Sequence, residues 1–334
     1  MKISVIIPTY NRCESLERTL HAIRTQTLPA EHFELVIVSD GSNDGTDEMV
    51  ANWAPHQQIV YLRQNNSGPS VARNLGISCA HGELLVFLDD DIEPCPTFLQ
   101  SHFEAHILDD RLVIIGPQSP PPNERFPVWI DWEHRMLERQ YANFRSGVWS
   151  VGPNNLYSGN FSVRRQYMLD CGGFDPKFKR QEDVELGFRL EKLGLRFAFC
   201  PEAIGYHRPV RSFDSWLKSP YLYGIRDVQM ARDKGENTSM DLARKHYNQR
   251  NALTKLLARS CIGVPLAEKG LFQFLKYNIL FWDRMGLRNV SLGVCSILFN
   301  LLYLQGMAQE IGGSKKMWNE LSVSRKNNTG NIVQ

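Results

Sequence analysis

The chain has 334 residues, 43% hydrophobic and 22% charged, which excludes a disordered or fibrous protein and allows one large domain or two ordinary ones. Its seven cysteines are scattered without a CxxC pair, which fits reduced thiols in a cytosol better than a disulfide framework or zinc site. The net charge of +2 conceals 19 Lys and Arg against 9 Asp and Glu from Arg208 onward, so an acidic first part precedes a basic last part.

Ile3–Pro8 is an apolar run too short for a signal peptide and reads as a strand, so the chain is expected in the cytoplasm. Glu14–Thr25 carries Leu16, Leu20 and Ile23 at helical spacing. Phe33–Asp40 reads as a second buried strand, Thr46–Ala54 as a short helix and Gln58–Arg63 as a third strand. Pro69 suits the first turn of a helix running to about Ala80. Glu83–Asp89 is a strand, Pro96–His106 a helix and Leu112–Gly116 a strand. This alternation predicts βαβ units and a mainly parallel sheet. Pro117–Asn123 contains three consecutive prolines and is a loop. Beyond it, Trp129–Tyr141 reads as helix, Leu156–Val163 as strand, Gln181–Leu193 as a helix ended by Gly194, and Leu195–Cys200 as strand.

The last part is different. Asn289–Gln309 has no charged residue, which is long enough to span a bilayer, but Asn289, Gly293, Ser296 and Asn300 form a small or polar stripe. A helix lying on or packed beneath a surface is therefore expected. Leu271–Trp282 is a companion apolar segment whose aromatics, with Lys276 and Arg284, suit a membrane interface. The basic excess suits a membrane surface or a phosphate-bearing acceptor, and no nucleic-acid-binding motif accompanies it. Four segments are expected: 1–116, 117–210 completing the same domain, 211–325 a helical extension, and 326–334 a disordered tail.

The chemistry gathers at strand ends. Leu84–Leu88 runs into Asp89, Asp90 and Asp91. Buried carboxylates need a compensating cation, and hard oxygen donors suit Mg2+ or Mn2+. Alternation along an extended chain would point Asp89 and Asp91 the same way and Asp90 away; an ordinary capped strand end, starting a helix at Ile92–Pro96, is the simpler alternative. Ile7–Arg12 ends the first strand, Val38–Thr46 the second, and Asn66–Asn74 opens a helix. All would lie on one carboxyl edge of the sheet, where open α/β folds bind ligands. An aromatic there can pack on a base, a carboxylate can accept a base N–H, and a basic residue can meet phosphate.

Together the motifs PTYNR (8–12), SDGSNDGT (39–46), GPSVARN (68–74), FLDDD (87–91) and GGFD…QEDVELGFRL (172–190) resemble the family 2 glycosyltransferases of GT-A fold, over roughly residues 1–210. The resemblance implies a mixed, mainly parallel Rossmann-like α/β sheet flanked by helices, and inverting transfer of a sugar from a nucleotide diphosphate. It implies that Pro8, Tyr10 and Asn11 frame the base pocket and that Asp40 accepts the N3–H of uracil or thymine, favouring UDP or dTDP donors. Arg73 would approach the ribose or diphosphate. Asp91 would ligate the metal, Asp89 would contact the ribose or a metal-bound water, Asp90 is a substitute, and His207 is a further metal ligand. Gly159 and Asn160 would approach the sugar, and Trp129, Trp132 and Trp149 offer faces for stacking.

Inverting displacement requires a carboxylate near the attacking hydroxyl. Glu182-Asp183 matches the family's acidic pair; Asp183 is the expected base, with Glu182 and Glu185 as fallbacks. Glu185 and Arg189 are also spaced to pair with each other. A nucleotide-sugar-binding protein without turnover fits the intact acidic motifs less well. A sugar nucleotidyltransferase would usually carry a glycine-rich basic loop after strand one, where this chain reads Pro8–Arg12. The acceptor is expected to be a glycan or lipid-linked, met at the inner face of the membrane through the C-terminal helices. Arg211, Trp216, Tyr221, Tyr223 and Arg226 are placed where a lid over the acceptor would lie.

Overall fold

The structure, a computed structural model, describes residues 2–53, 58–178, 181–233 and 237–322. The expected tail at 326–334 and the expected helix end at Ala54 lie outside these residues. The chain divides into two compact units, Met1–Val210 and Arg211–Gln334.

In the first unit β1 (Ile3–Thr9), α1 (Cys13–Ile23), β2 (Phe33–Ser39), α2 (Thr46–Trp53), β3 (Ile59–Arg63), α3 (Pro69–Cys79) and β4 (Leu84–Leu88) alternate as their periodicities predict. There follow β5 (Ile92–Pro94), α4 (Phe98–Ala105), β6 (Leu112–Ile115), β7 (Gln118–Ser119), α5 (Val128–Arg145), β8 (Asn160–Arg164), α6 (Arg165–Asp170), α7 (Glu182–Lys192), β9 (Arg196–Phe199) and β10 (Gly205–His207). Seven strands form one sheet in the order β3-β2-β1-β4-β8-β6-β9. Only β8 runs against its neighbours, pairing antiparallel with β4 and β6. A second sheet has the order β5-β10-β7. Its strands have two or three residues each, too short to carry a period, which is why the sequence reads them as loop or helix.

Both faces of the large sheet are covered, so its central strands are continuous apolar runs. Ile3, Val5, Ile7, Leu35, Ile37, Val86 and Leu88 pack on one face. Ile6, Val36, Val38, Leu85, Phe87 and Phe161 pack on the other. The stacked rings of Phe87 and Phe161 (4.5 Å between centroids) clamp β4 to β8. The carboxyl ends of β1, β2 and β4 and the amino end of β8 therefore share one edge.

The second unit contains α8 (Phe213–Asp233), α9 (Asn237–Asn248), α10 (Ala252–Cys261), α11 (Pro265–Arg284), α12 (Arg288–Ile311) and α13 (Ser314–Ser322). By length and composition α12 could cross a membrane, but half of its apolar window is buried inside the unit. It packs on α8 at unusually close range: a Cβ on Gly306 would clash with the Tyr221 carbonyl, and one on Gly224 with the Tyr303 carbonyl. Of the expected polar stripe, Asn289 and Gly293 are exposed and Ser296 and Asn300 are half-buried. Trp216, expected in a lid, is fully buried and stacks on Phe213, so it belongs to the core of this unit.

Candidate active site

The acidic strand end is a turn, which corrects the expected alternation. β4 stops at Leu88, and the Ile92 amide donates to the Asp89 carbonyl (3.2 Å), folding Asp90 and Asp91 back. The helix that the simpler alternative starts at Ile92–Pro96 is absent there, where the chain forms the short strand β5. Asp90 and Asp91 consequently share one partner: Arg12 Nη1 lies 3.0 Å from Asp90 Oδ1 and 2.7 Å from Asp91 Oδ2. Asp89 turns to Arg73 Nη2, 2.7 Å away. Thr19 pins the turn by donating to the Asp90 carbonyl (3.0 Å).

Burial raises the pKa of both Asp90 and Asp91, helped by the Asp91 charge at Asp90 and by the Asp89 charge at Asp91, and Arg12 works against the rise. Burial disfavours the Arg12 charge, yet Asp90 and Asp91 hold its pKa above the ordinary value. Arg12 sits inside the PTYNR motif, but sequence reasoning gave it no role. Its signal was the need of three adjacent carboxylates for a cation.

His207, on β10 beside β5, reaches Asp91 with Nε2 3.6 Å from Oδ1. His134 of α5, also missed in the sequence, packs edge-on to it with 6.0 Å between ring centroids. Burial lowers the His134 pKa to about 4, so that ring is neutral at pH 7. Asp91 thus offers one oxygen to Arg12 and one toward an imidazole. The Asp91 carboxylate and the His207 imidazole, 3.6 Å apart, are an oxygen and a nitrogen donor that together would hold a divalent ion. Among the described residues no three His, Cys, Asp or Glu side chains gather into a metal cage, so an ion here would complete its shell with water or ligand oxygens.

The residues expected to frame a base pocket converge in part. Pro8 is at the end of β1 and half-buried, while Tyr10 is 46% exposed and open to stacking. Asn11 adopts a left-handed backbone (φ 50°), and its Oδ1 accepts from the Asn43 amide (2.8 Å), joining the loops after β1 and β2. Asp40 is buried and accepts from Gln64 Nε2 (2.7 Å), the Ser67 amide (2.8 Å) and the Gly68 amide (2.9 Å). A carboxylate has roughly four acceptor positions, so one remains.

Arg73 is buried between two acids: besides Asp89 it meets Glu182 Oε1 at 3.3 Å. This bridge joins the acidic turn to the start of α7. Gly159 closes the same corner, because a Cβ there would lie 2.7 Å from Asp89 Oδ2. The Asp183 carboxylate accepts from the Ser158 amide (3.3 Å) and from the Val184 amide (2.9 Å). Burial and the Glu182 charge raise its pKa to about 7, against those hydrogen bonds and Arg73. Glu185 is committed elsewhere, paired with Arg189 at 2.6 Å, and Arg189 also donates to the Cys171 carbonyl (2.6 Å). Asn74 exchanges two hydrogen bonds with the Phe174 backbone, tying the ARN and GGFD motifs together.

Asn160 does not reach the site. It is fully buried; Nδ2 donates to the Pro117 and Ala203 carbonyls (2.9 Å each) and Oδ1 accepts from His102 Nε2 (3.0 Å). Ser162 joins His102 Nδ1 (2.8 Å) and His106 Nε2 (2.9 Å) in the same network. The expected sugar contact is therefore a fastener beneath the edge. Trp132 is buried too, while Trp149 is exposed.

A mainly parallel sheet with one antiparallel strand, an acidic turn after β4 and an acidic helix start beside it define the GT-A class of glycosyltransferase folds. The chain belongs to glycosyl transferase family 2, whose profile matches residues 4–172. It is 32% identical over 234 residues to validoxylamine A glucosyltransferase of Streptomyces hygroscopicus subsp. jinggangensis, covering 62% of this chain and 55% of that protein. It is 27% identical over 236 residues to glycosyltransferase AglE of Haloferax volcanii, covering 68% of this chain and 73% of that one. The chain thus spans about half the length of the validoxylamine glucosyltransferases it matches. A mannosyltransferase from Pyrobaculum calidifontis, solved with GDP-Man and Mn2+, shares the fold with a TM-score of 0.61 and 18% identity, over 91% of this chain and 86% of that one. S. aureus TarS 1–349 with UDP-GlcNAc gives a TM-score of 0.56 at 18% identity, over 94% and 93%.

Proposed function

We propose that this chain is a metal-dependent inverting glycosyltransferase that moves a sugar from a nucleotide diphosphate, UDP or dTDP favoured, to a hydroxyl of a glycan or lipid-linked acceptor. The observation that carries this reading is Asp183, a half-buried carboxylate with its pKa pushed up to about 7 at the start of α7. A base poised near the working pH accepts a proton without being permanently blocked by one. Asp183 takes the acceptor's hydroxyl proton as the oxygen bonds to the anomeric carbon. The bond from that carbon to the diphosphate breaks, and its electron pair leaves with the phosphate oxygen. Glu182, held by Arg73, keeps Asp183 basic through its charge. Tyr10 packs on the base, Pro8 and Asn11 shape its pocket, and the remaining acceptor position of Asp40 receives a base N–H. Asp91 and His207 would hold Mn2+ or Mg2+, which stabilises charge on the leaving diphosphate. Arg12 holds Asp90 and Asp91 in place and lowers the repulsion between them. Two relatives in the fold were solved with a nucleotide sugar, one of them with Mn2+, which supports the donor class and the ion.

A donor screen tests the reading. The protein is incubated with Mn2+ or Mg2+ and UDP-, dTDP- or GDP-sugars, with a mixed glycan and lipid-linked acceptor pool, and nucleotide diphosphate release is followed. Release from one donor, abolished by chelation, by Asp91→Ala and by Asp183→Asn, is expected. Donor binding without release under every acceptor would instead favour a binding protein.

A further inference from the structure

We propose that the outward face of α11 docks on an anionic lipid bilayer. The helix has two apolar faces. Phe272, Leu275 and Ile279 are buried and form the inward face within the second unit. An ordinary surface helix is polar on the opposite side. Here Leu266 (86% exposed), Phe274, Tyr277 (74% exposed), Phe281 and Met285 recur at spacings of three, four or eight along that opposite side. The stripe continues past the helix end into Leu287 and Val290, both exposed. Exposed apolar residues scattered singly are unremarkable on a protein surface, but one continuous stripe along a helix marks a docking surface.

Charge selects the occupant. Lys269, Lys276 and Arg284 lie along one border of the stripe, with Lys269 and Arg284 exposed. The two carboxylates of this helix are engaged within the unit: Glu268 accepts from the Gly263 amide and from Gln305, and Asp283 pairs with Arg288 at 3.0 Å. The face therefore presents aromatic and aliphatic groups with a cationic border and no opposing acid in its own helix. Phe and Leu enter the acyl boundary, Tyr sits at headgroup level, and Lys and Arg extend to lipid phosphates. A protein partner of mixed charge would leave the cationic border unmatched. The helix lies in the bilayer plane and does not span it, because its opposite face is already buried in the unit. The inference rests on the reading of a membrane-borne acceptor and names the surface that would meet that membrane.

The test uses the full chain and vesicles of phosphatidylcholine, alone or mixed with phosphatidylglycerol, scored by co-sedimentation at low and physiological salt. Binding to the mixed vesicles, at least about tenfold tighter than to phosphatidylcholine alone and weakened by salt, is expected. The exposed triple variant Phe274→Ser/Tyr277→Ser/Phe281→Ser should lose binding to both vesicle types by about tenfold or more. Lys269→Gln/Lys276→Gln/Arg284→Gln should lose only the anionic preference. Circular dichroism and nucleotide diphosphate release in detergent-free buffer establish that each variant is folded. Absence of vesicle binding by the wild type, or equal binding by the apolar variant, overturns the inference. So does a dimer that the apolar variant dissociates, since the face then meets a second copy. Vesicle binding with no turnover on any donor would overturn the transferase reading and leave the membrane face standing; turnover without vesicle binding would do the reverse.

Discussion

Replacing Asn160 by Ala separates a structural role from a substrate contact. The side chain makes three hydrogen bonds in a fully buried place: to the Pro117 carbonyl, to the Ala203 carbonyl and from His102 Nε2. Truncation leaves the Ala203 carbonyl and the His102 N–H without that partner, while the Pro117 carbonyl keeps its bond from the Gly205 amide (3.0 Å). Each unsatisfied buried group costs about 1–3 kcal/mol, so for two groups a loss of about 2–6 kcal/mol is expected, moderated if water enters the cavity. Against a typical total stability of about 5–15 kcal/mol that is severe. Urea unfolding followed by circular dichroism should show a large drop in midpoint. At about 2–4 °C per kcal/mol the melting temperature should fall by roughly 4–24 °C. Donor KM, measured well below the new transition, should change little. An unaltered unfolding midpoint combined with a tenfold rise in donor KM would refute this reasoning and make Asn160 a sugar contact.

Other expectations follow from the same geometry. Asp183→Asn should lower turnover by about 100-fold or more while leaving donor binding intact, as loss of a general base does. In the wild type, kcat/KM should fall on the acid side of about pH 7, the value to which burial and Glu182 raise Asp183, because protonation removes the base; an activity plateau extending to about pH 5 would exclude it. Burial lowers His102 to about 4 and His106 to about 3. The unfolded chain, with imidazoles near 6.5, then binds protons that the fold does not, so stability is full above about pH 6.5 and declines as pH falls toward 4. The slope approaches about 1.4 kcal/mol per pH unit for each ring, and His102→Gln should flatten it; equal slopes for variant and wild type would contradict the assignment. Gly306→Ala would drive a methyl into the Tyr221 carbonyl, a backbone atom that cannot swing away, and should destabilise the second unit by about 1–3 kcal/mol. Unchanged thermal unfolding of that unit would show that α8 and α12 are not in close contact.

The sequence by itself determined the alternating strands and helices up to Ile115, because central parallel strands are continuous apolar runs and the flanking helices keep a 3.6-residue period. It also determined which motifs reach the sheet edge, since a parallel sheet brings its carboxyl ends together. Strands of two or three residues were not legible: β5, β7 and β10 exist only because they pair with one another. The direction of the acidic side chains was decided by tertiary structure, because the chain turns after Leu88 and the extended-strand rule no longer applies there. Arg12, His134 and the network around Asn160 likewise come from residues far apart in the chain, on β8, α4, α5 and the loop after β1. A local pattern carries each residue's chemical type but not the partner that distance in the fold supplies, and for buried polar groups the partner decides the role.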